Sequence, residues 1–205
     1  MDQGDAGPMT TGESQFQIRL ARDARDLRAA QRLRYQVFVE ELGGTGPLVD
    51  HEQRLERDDF DPVYDHLLLI DTRRDPDSLE DVVGSYRLLR SERAAEIGRF
   101  YCDAEYDLTA LRASGRRLLE LGRSCVHRDY RGSAAMFLLW NGLAEYVLEN
   151  DIEVLFGVAS FHGTDIESLR MPLSWLHHHH LAPPALRVRA HDDHYQRMDL
   201  IPAEQ

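Results

Sequence analysis

The chain has 205 residues, 42% of them hydrophobic and 29% charged, which supplies enough apolar material for one filled core and matches neither a fibrous nor a disordered composition. A formal net charge of −12 weighs against a nucleic-acid binder, which needs a positive field to displace counterions. The longest apolar runs, 67–70 and 136–140, fall far short of the about 20 residues that span a bilayer.

Residues 1–14 lack the basic start and apolar stretch of a secretory signal and read as a disordered lead-in, followed by a single domain over 15–205. Cys102 and Cys125 match neither zinc nor redox spacing, so a reducing cytoplasm is the expected setting. The first predicted strand is 16–20. Asp23 or Asp26 can cap a helix to about Leu42, with Leu27, Ala30, Leu33, Val37 and Phe38 at helical spacing before Gly43 and Gly44 stop it. Residues 43–61 form a long acidic loop of the kind that tends to be functional.

Two β-rich runs, 66–71 and 82–90, flank the turn-forming sequence RRDPDS and should pair as an antiparallel hairpin. A loop and a short helix near 109–113 follow, then a strand over 117–126. The helix predicted over 133–149 carries Met136, Trp140, Leu143 and Val147 on one face. Phe137, Leu138 and Trp140 read as core, or as one wall of an apolar tunnel. Residues 152–161 read as a buried strand. Asp165 starts a short helix, and 187–190 and 195–200 complete the predicted strands.

Chemistry concentrates at one join, LLELGRSCVHRDYRGSAAMFLLW. A strand that turns through Gly132, Ser133 and Ala134 into a helix directs several backbone amides at one spot and favours a phosphate there. The glycine could equally serve the turn's sterics alone. All 24 basic residues are arginine, and those at 87–93, 116–117 and 123–131 are clustered; guanidinium groups suit phosphate and carboxylate recognition.

This turn resembles the GNAT superfamily signature, through Arg131, Gly132, Ser133 and Ala134, with Asp129 standing where Gln or Arg is usual. The blocks RLRYQVFVEE, DDFDPVYDHLLL, VGSYRLLR, LELGRSCVHRDYRG, LFGVASFHG and LSWLHHHHLAP together resemble bacterial ornithine N-acyltransferases, which make lyso-ornithine lipid. More distantly, Arg34, Phe38, Asp58, Asp61, Arg87, Glu120 and Arg123 resemble acyl-homoserine-lactone synthases, without the Trp that those enzymes carry shortly after the Phe. The resemblance implies an α/β (α+β) fold of GNAT type, a mixed, mainly antiparallel central sheet flanked by helices on both faces. It also implies transfer of a (3-hydroxy)fatty acyl group from acyl carrier protein, or from acyl-CoA, to the α-amine of ornithine or a similar amino acid. The acyl-phosphopantetheine is then a co-substrate rather than a bound cofactor, and no metal is needed.

Amide formation from a thioester needs a neutral amine, a group to take its proton, and donors for the developing oxyanion. Glu120 is the candidate base, directly or through water; a salt bridge from Glu120 to Arg123 or Arg87 is the alternative role. Arg123 joins Glu120 in the catalytic set. By resemblance, backbone N–H groups near Cys125 and Val126 hold the carbonyl oxygen, and Arg128, Arg131, Gly132, Ser133 and Ala134 hold the phosphate. Arg34, Arg87 and Arg123 would clamp carboxylates, either the acceptor's or those of Asp58, Asp59 and Asp61, which could in turn bind ornithine's ammonium; Phe38 completes the substrate set. Consecutive histidines 177–180 cannot all face one metal from a regular helix. An acidic carrier protein would need the local arginine groups to offset the net charge. An amphiphilic product adds peripheral contact with the inner membrane to a cytoplasmic location. Competing readings are homoserine-lactone synthesis, acetyl transfer from coenzyme A, and a non-catalytic lipid- or carrier-binding module on the same scaffold.

Overall fold

The computed structural model describes residues 15–132 and 134–203. Five strands form the main sheet in the order β1-β2-β3-β5-β6: β1 is Phe16–Leu20, β2 Asp65–Asp71, β3 Val82–Arg90, β5 Leu118–Val126 and β6 Val154–Gly157. The first four pair antiparallel, and β5 pairs with β6 in parallel. This is the mixed, mainly antiparallel sheet that the resemblance implies.

Each face of the sheet is covered by a helix. On one side lies α1, Ala24–Arg34, capped by Asp23, whose side chain accepts from the Asp26 N–H. Its Ala29, Ala30 and Leu33 pack on Leu68, Ile70, Val82 and Cys125. The helix widens into a π-helical stretch over Tyr35–Glu41 and ends at Gly43, whose φ of +70° suits a residue without a Cβ. On the opposite side α4, Ala135–Glu149, buries Ala135, Leu139, Gly142, Leu143 and Tyr146 against Leu67, Leu69, Val83, Leu88, Leu119 and Val126. The face predicted for this helix is therefore rotated: Met136, Phe137 and Trp140 are exposed, since α4 sits over β1 to β3 and leaves that flank uncovered.

A third apolar cluster, Phe60, Tyr64, Leu89, Phe100, Cys102, Leu108, Leu111 and Leu118, fills the space beneath the segment between β3 and β5. Here α2, Ser91–Ile97, was not foreseen; α3, Thr109–Ala113, lies where the sequence placed it. Within this segment the two-residue strand β4, Tyr106–Asp107, pairs with β7, Arg189–Ala190, while 195–200 forms no strand. Only 154–157 of the run 152–161 is strand, at a sheet edge with Leu155 exposed, so its apolar side chains are half covered rather than buried on both faces. The helix capped by Asp165, α5 at Ile166–His179, is fourteen residues long, not short. The expected lead-in, 1–14, and Ser133 lie outside the described residues.

Candidate active site

Two breaks in the pairing of β5 open the middle of the sheet. On one edge, the parallel ladder with β6 stops at Leu121↔Gly157, although β5 runs on to Val126. Close approach there requires glycine, because a Cβ on residue 157 would lie 2.3 Å from the Leu121 carbonyl oxygen. On the other edge, Ser85 faces Cys125 but Arg87 faces Gly122, so Arg123 and Ser124 together oppose Tyr86. This is a β-bulge, which bends the strand and switches which alternate residues face each side. Arg123 sits in the left-handed region at φ 48°, a conformation that costs a non-glycine residue about 1–3 kcal/mol.

A cleft of about 560 Å³ follows, with residues 121–124 on one wall and 158–163 on the other. Glu120 lies at its base, 1% exposed. Its Oε2 accepts from the Tyr64 hydroxyl at 2.8 Å and the Tyr101 N–H at 2.8 Å, and its Oε1 from the Cys102 N–H at 2.7 Å. Burial and the neighbouring Glu120 carboxylate hold the Cys102 thiol well above its ordinary range. The carboxylate is thus nearly saturated, and it makes no ion pair with Arg87 or Arg123 among the described residues. Burial and the negative charge of Glu120 raise the Tyr64 phenol, which stays protonated at any working pH.

The predicted arginines converge below the cleft, with a partner that the sequence reading missed. Arg34, fully buried, donates from Nε to Glu56 Oε2 at 2.6 Å and from Nη1 and Nη2 to Asp61 at 2.7 and 2.8 Å. Arg87 Nη1 reaches both oxygens of Asp58, at 2.6 and 2.7 Å, and Asp61 Oδ1 at 3.1 Å. Arg123 Nε donates to Glu56 Oε1 at 3.0 Å, and its guanidinium stands 5.7 Å from the Phe38 ring and 5.4 Å from Tyr101. Burial favours a neutral Asp61, but the hydrogen bonds and charge of Arg34, with the charge of Arg87, outweigh it and hold the carboxyl below the usual range. Asp58 and Asp61 are consumed in these pairs, Asp59 is exposed outside them, and Glu56 does the bridging. No composition or spacing signal separates Glu56 from the other acids of its loop.

Cys125 and Val126 do not line the cleft. Both are buried, Cys125 against α1 and Val126 against α4, and burial raises the Cys125 thiol to about 12, which leaves it inert. The edge beside the cleft is Gly122 to Ser124 instead. Beyond Val126, Arg128 and Arg131 are exposed and share Glu41, at 3.8 and 2.9 Å, and Arg131 Nε donates to the Val126 carbonyl at 3.0 Å. Gly132 follows at φ 75° with open space around it, and Ala134, at the N-cap of α4, has no side-chain oxygen to cap the helix. His177 to His180 end α5, and no group of acids, cysteines and histidines arranged to hold a metal occurs among the described residues. No helix there is long and apolar enough to cross a membrane.

An acetyltransferase (GNAT) domain model matches residues 33–141. An L-ornithine N(alpha)-acyltransferase from Rhodobacter capsulatus is 69% identical over 196 residues, covering 96% of this chain and 75% of that protein. A protein of the same name from Brucella abortus is 42% identical over 191 residues, covering 92% of this chain and 68% of that one. Among solved structures, the AHL synthase LasI aligns with a TM-score of 0.50 at 20% identity over 78% of each chain, a likeness of fold.

Proposed function

From its place in the GNAT acyltransferases, and within them in the L-ornithine Nα-acyltransferase family to which the chain belongs, we propose that it moves a (3-hydroxy)fatty acyl group from acyl carrier protein to the α-amine of ornithine, giving lyso-ornithine lipid. The observation that carries this reading is the opening of the sheet between β5 and β6, a slot with backbone on both walls and a charged floor. A pantetheine arm enters it with its phosphate at the turn around Gly132, between Arg128 and Arg131 and the start of α4 in the chain. Its thioester then lies beside Gly122 to Ser124, whose backbone N–H groups supply the oxyanion donors.

An apolar cavity of about 490 Å³, walled by Leu108, Leu111, Val154, Phe156, Leu186 and Val188, shares Cys102, Val158 and Ala159 with the cleft and receives the acyl chain. The acceptor's α-amine attacks the thioester carbon. Because Glu120 already accepts from Tyr64 and from the Tyr101 and Cys102 amides, the proton leaves through Tyr64: the phenol oxygen takes it while the phenol's own proton passes to Glu120. The C–S bond breaks, and the thiolate recovers a proton as the free pantetheine thiol. Carrier protein is favoured over coenzyme A because arginine groups flank the turn of an otherwise acidic chain, ready for an acidic partner. The enzyme works in the cytoplasm, with peripheral contact at the inner membrane for its amphiphilic product.

The test supplies purified protein with L-ornithine and either 3-hydroxyacyl carrier protein or 3-hydroxyacyl-CoA. Release of free thiol and a mass matching the amide are expected, faster with the carrier protein. No amide with either donor overturns the reading.

A further inference from the structure

Beside the cleft, and sharing Phe38, Leu42 and Arg123 with it, is a smaller cavity of about 270 Å³ whose remaining wall includes Val39, Val49 and Glu56. That is the liquid volume of about nine water molecules at about 30 Å³ each, enough room for a five-carbon diamino acid. The charged side chains of its wall are one guanidinium and one carboxylate, Arg123 and Glu56, set among Phe38, Val39, Leu42, Val49 and Thr45. We infer that this side cavity is the acceptor pocket, and that Glu56 selects a diamino acid by receiving the ammonium at the end of its side chain while Arg123 receives its α-carboxylate. The inference rests on the ornithine reading above and assigns that acceptor a place.

Three features support it. The carboxylate of Glu56 accepts one hydrogen bond on each oxygen, from Arg34 and from Arg123, and a carboxylate offers about four lone-pair sites, so capacity for an ammonium remains. Arg123 uses only Nε toward Glu56, and its two Nη groups meet no carboxylate among the described residues. A planar guanidinium 5.7 Å from the Phe38 ring and 5.4 Å from the Tyr101 ring carries those donors in the fork that matches a carboxylate. Charge agrees as well. Arg34, Arg87 and Arg123 balance Glu56, Asp58 and Asp61, and Glu120 leaves the cluster one negative charge, the complement of a diamino acid that carries one net positive charge.

Acyl transfer by the whole chain is measured with L-ornithine, L-lysine and L-norvaline, the last lacking only the terminal amine. Wild-type enzyme should prefer ornithine to norvaline by about 10- to 100-fold in kcat/KM, the worth of one hydrogen-bonded charge. Glu56→Gln should shrink that ratio to within about threefold. Val49→Phe, away from the ion pairs, should raise KM for ornithine and leave KM for the acyl donor unchanged, and it decides the matter should Glu56→Gln fail to fold. An unchanged ornithine-to-norvaline ratio in folded Glu56→Gln, or a Val49→Phe effect confined to the donor, overturns the assignment. Absence of any acylation by wild-type enzyme sinks the acyltransfer reading instead.

Discussion

Arg34→Met tests the buried ion cluster most directly, since it replaces the fully buried guanidinium by an unbranched apolar chain of similar length. Four hydrogen bonds disappear, two to Asp61, one to the Glu56 carboxylate and one to the Glu56 carbonyl. Asp61 keeps only Gln31 and one contact from Arg87, and Glu56 keeps only Arg123. Removing one member of a buried pair leaves an uncompensated charge and costs about 3–5 kcal/mol, far more than the intact pair contributes over an apolar substitute. For a chain of this size that amounts to a fall in Tm of roughly 6–20 °C. Asp61→Asn on its own should cost about 1–3 kcal/mol. The double variant should lose at least about 1 kcal/mol less than the sum, because the two residues share their bonds. Urea unfolding of the four proteins closes the cycle. A loss under about 1 kcal/mol for Arg34→Met, or additive losses, would refute a cluster held by mutual neutralisation.

Tyr64→Phe should retain the fold and lower kcat about 10²-fold or more with little change in KM, as expected of a proton relay; full activity would remove Tyr64 from the mechanism. Glu120→Gln turns its amide N–H₂ toward either the Tyr101 or the Cys102 N–H and should cost about 1–3 kcal/mol in denaturant unfolding besides its loss of activity. Stability should fall in two acid steps. Burial lowers the His66 pKa, so the unfolded chain takes up a proton first as pH drops below the ordinary 6.5. The depressed Asp61 carboxyl gives stability above about 4 that is lost below it, and His66→Gln should shrink only the first step in Tm-against-pH measurements, leaving the part that comes from His127, which burial also lowers. Gly157→Ala, with a Cβ 2.3 Å from the Leu121 carbonyl oxygen, should part β5 from β6 and slow acyl transfer, and normal activity would show that the slot does not depend on that contact.

The elements with a strong period or a clear punctuation were legible in the sequence. RRDPDS marked the turn between β2 and β3, Gly43 and Gly44 the end of the first helical run, and Asp165 the cap of α5. Less legible were features set by neighbours distant in the chain. Met136 and Trp140 fit a helical face, yet the buried face of α4 is the one carrying Gly142, where a Cβ would meet Ile18 of β1 at 2.6 Å. That contact between β1 and a helix more than a hundred residues later fixes the rotation of α4, and no local pattern encodes it. Residues 152–161 look alike for a buried strand and an edge strand, because their apolarity does not reveal that β6 has a neighbour on one side only.

The bulge at Arg123 shows why the site residues were readable while their arrangement was not. Strand alternation places Glu120 and Gly122 on one side of the sheet and would put Ser124 and Val126 there too; the extra residue inverts this, so that Cys125 joins the α1 side and Val126 the α4 side. A sequence reading without the bulge therefore places Cys125 and Val126 at the cleft, whereas the edge that lines it is Gly122 to Ser124. The left-handed backbone of Arg123 is intrinsically unfavourable, and it is held by contacts from three distant segments: Glu56 in the acidic loop, Phe38 at the end of the first helix, and Tyr101 beside Glu120. Each of these also lines the cleft or its side cavity, or borders Glu120. The strain at Arg123 is thus offset by the groups that would meet substrate. Loosening any of them should relax the bulge and narrow the slot before it unfolds the sheet, a loss of activity that precedes loss of structure in a denaturant titration followed by both signals.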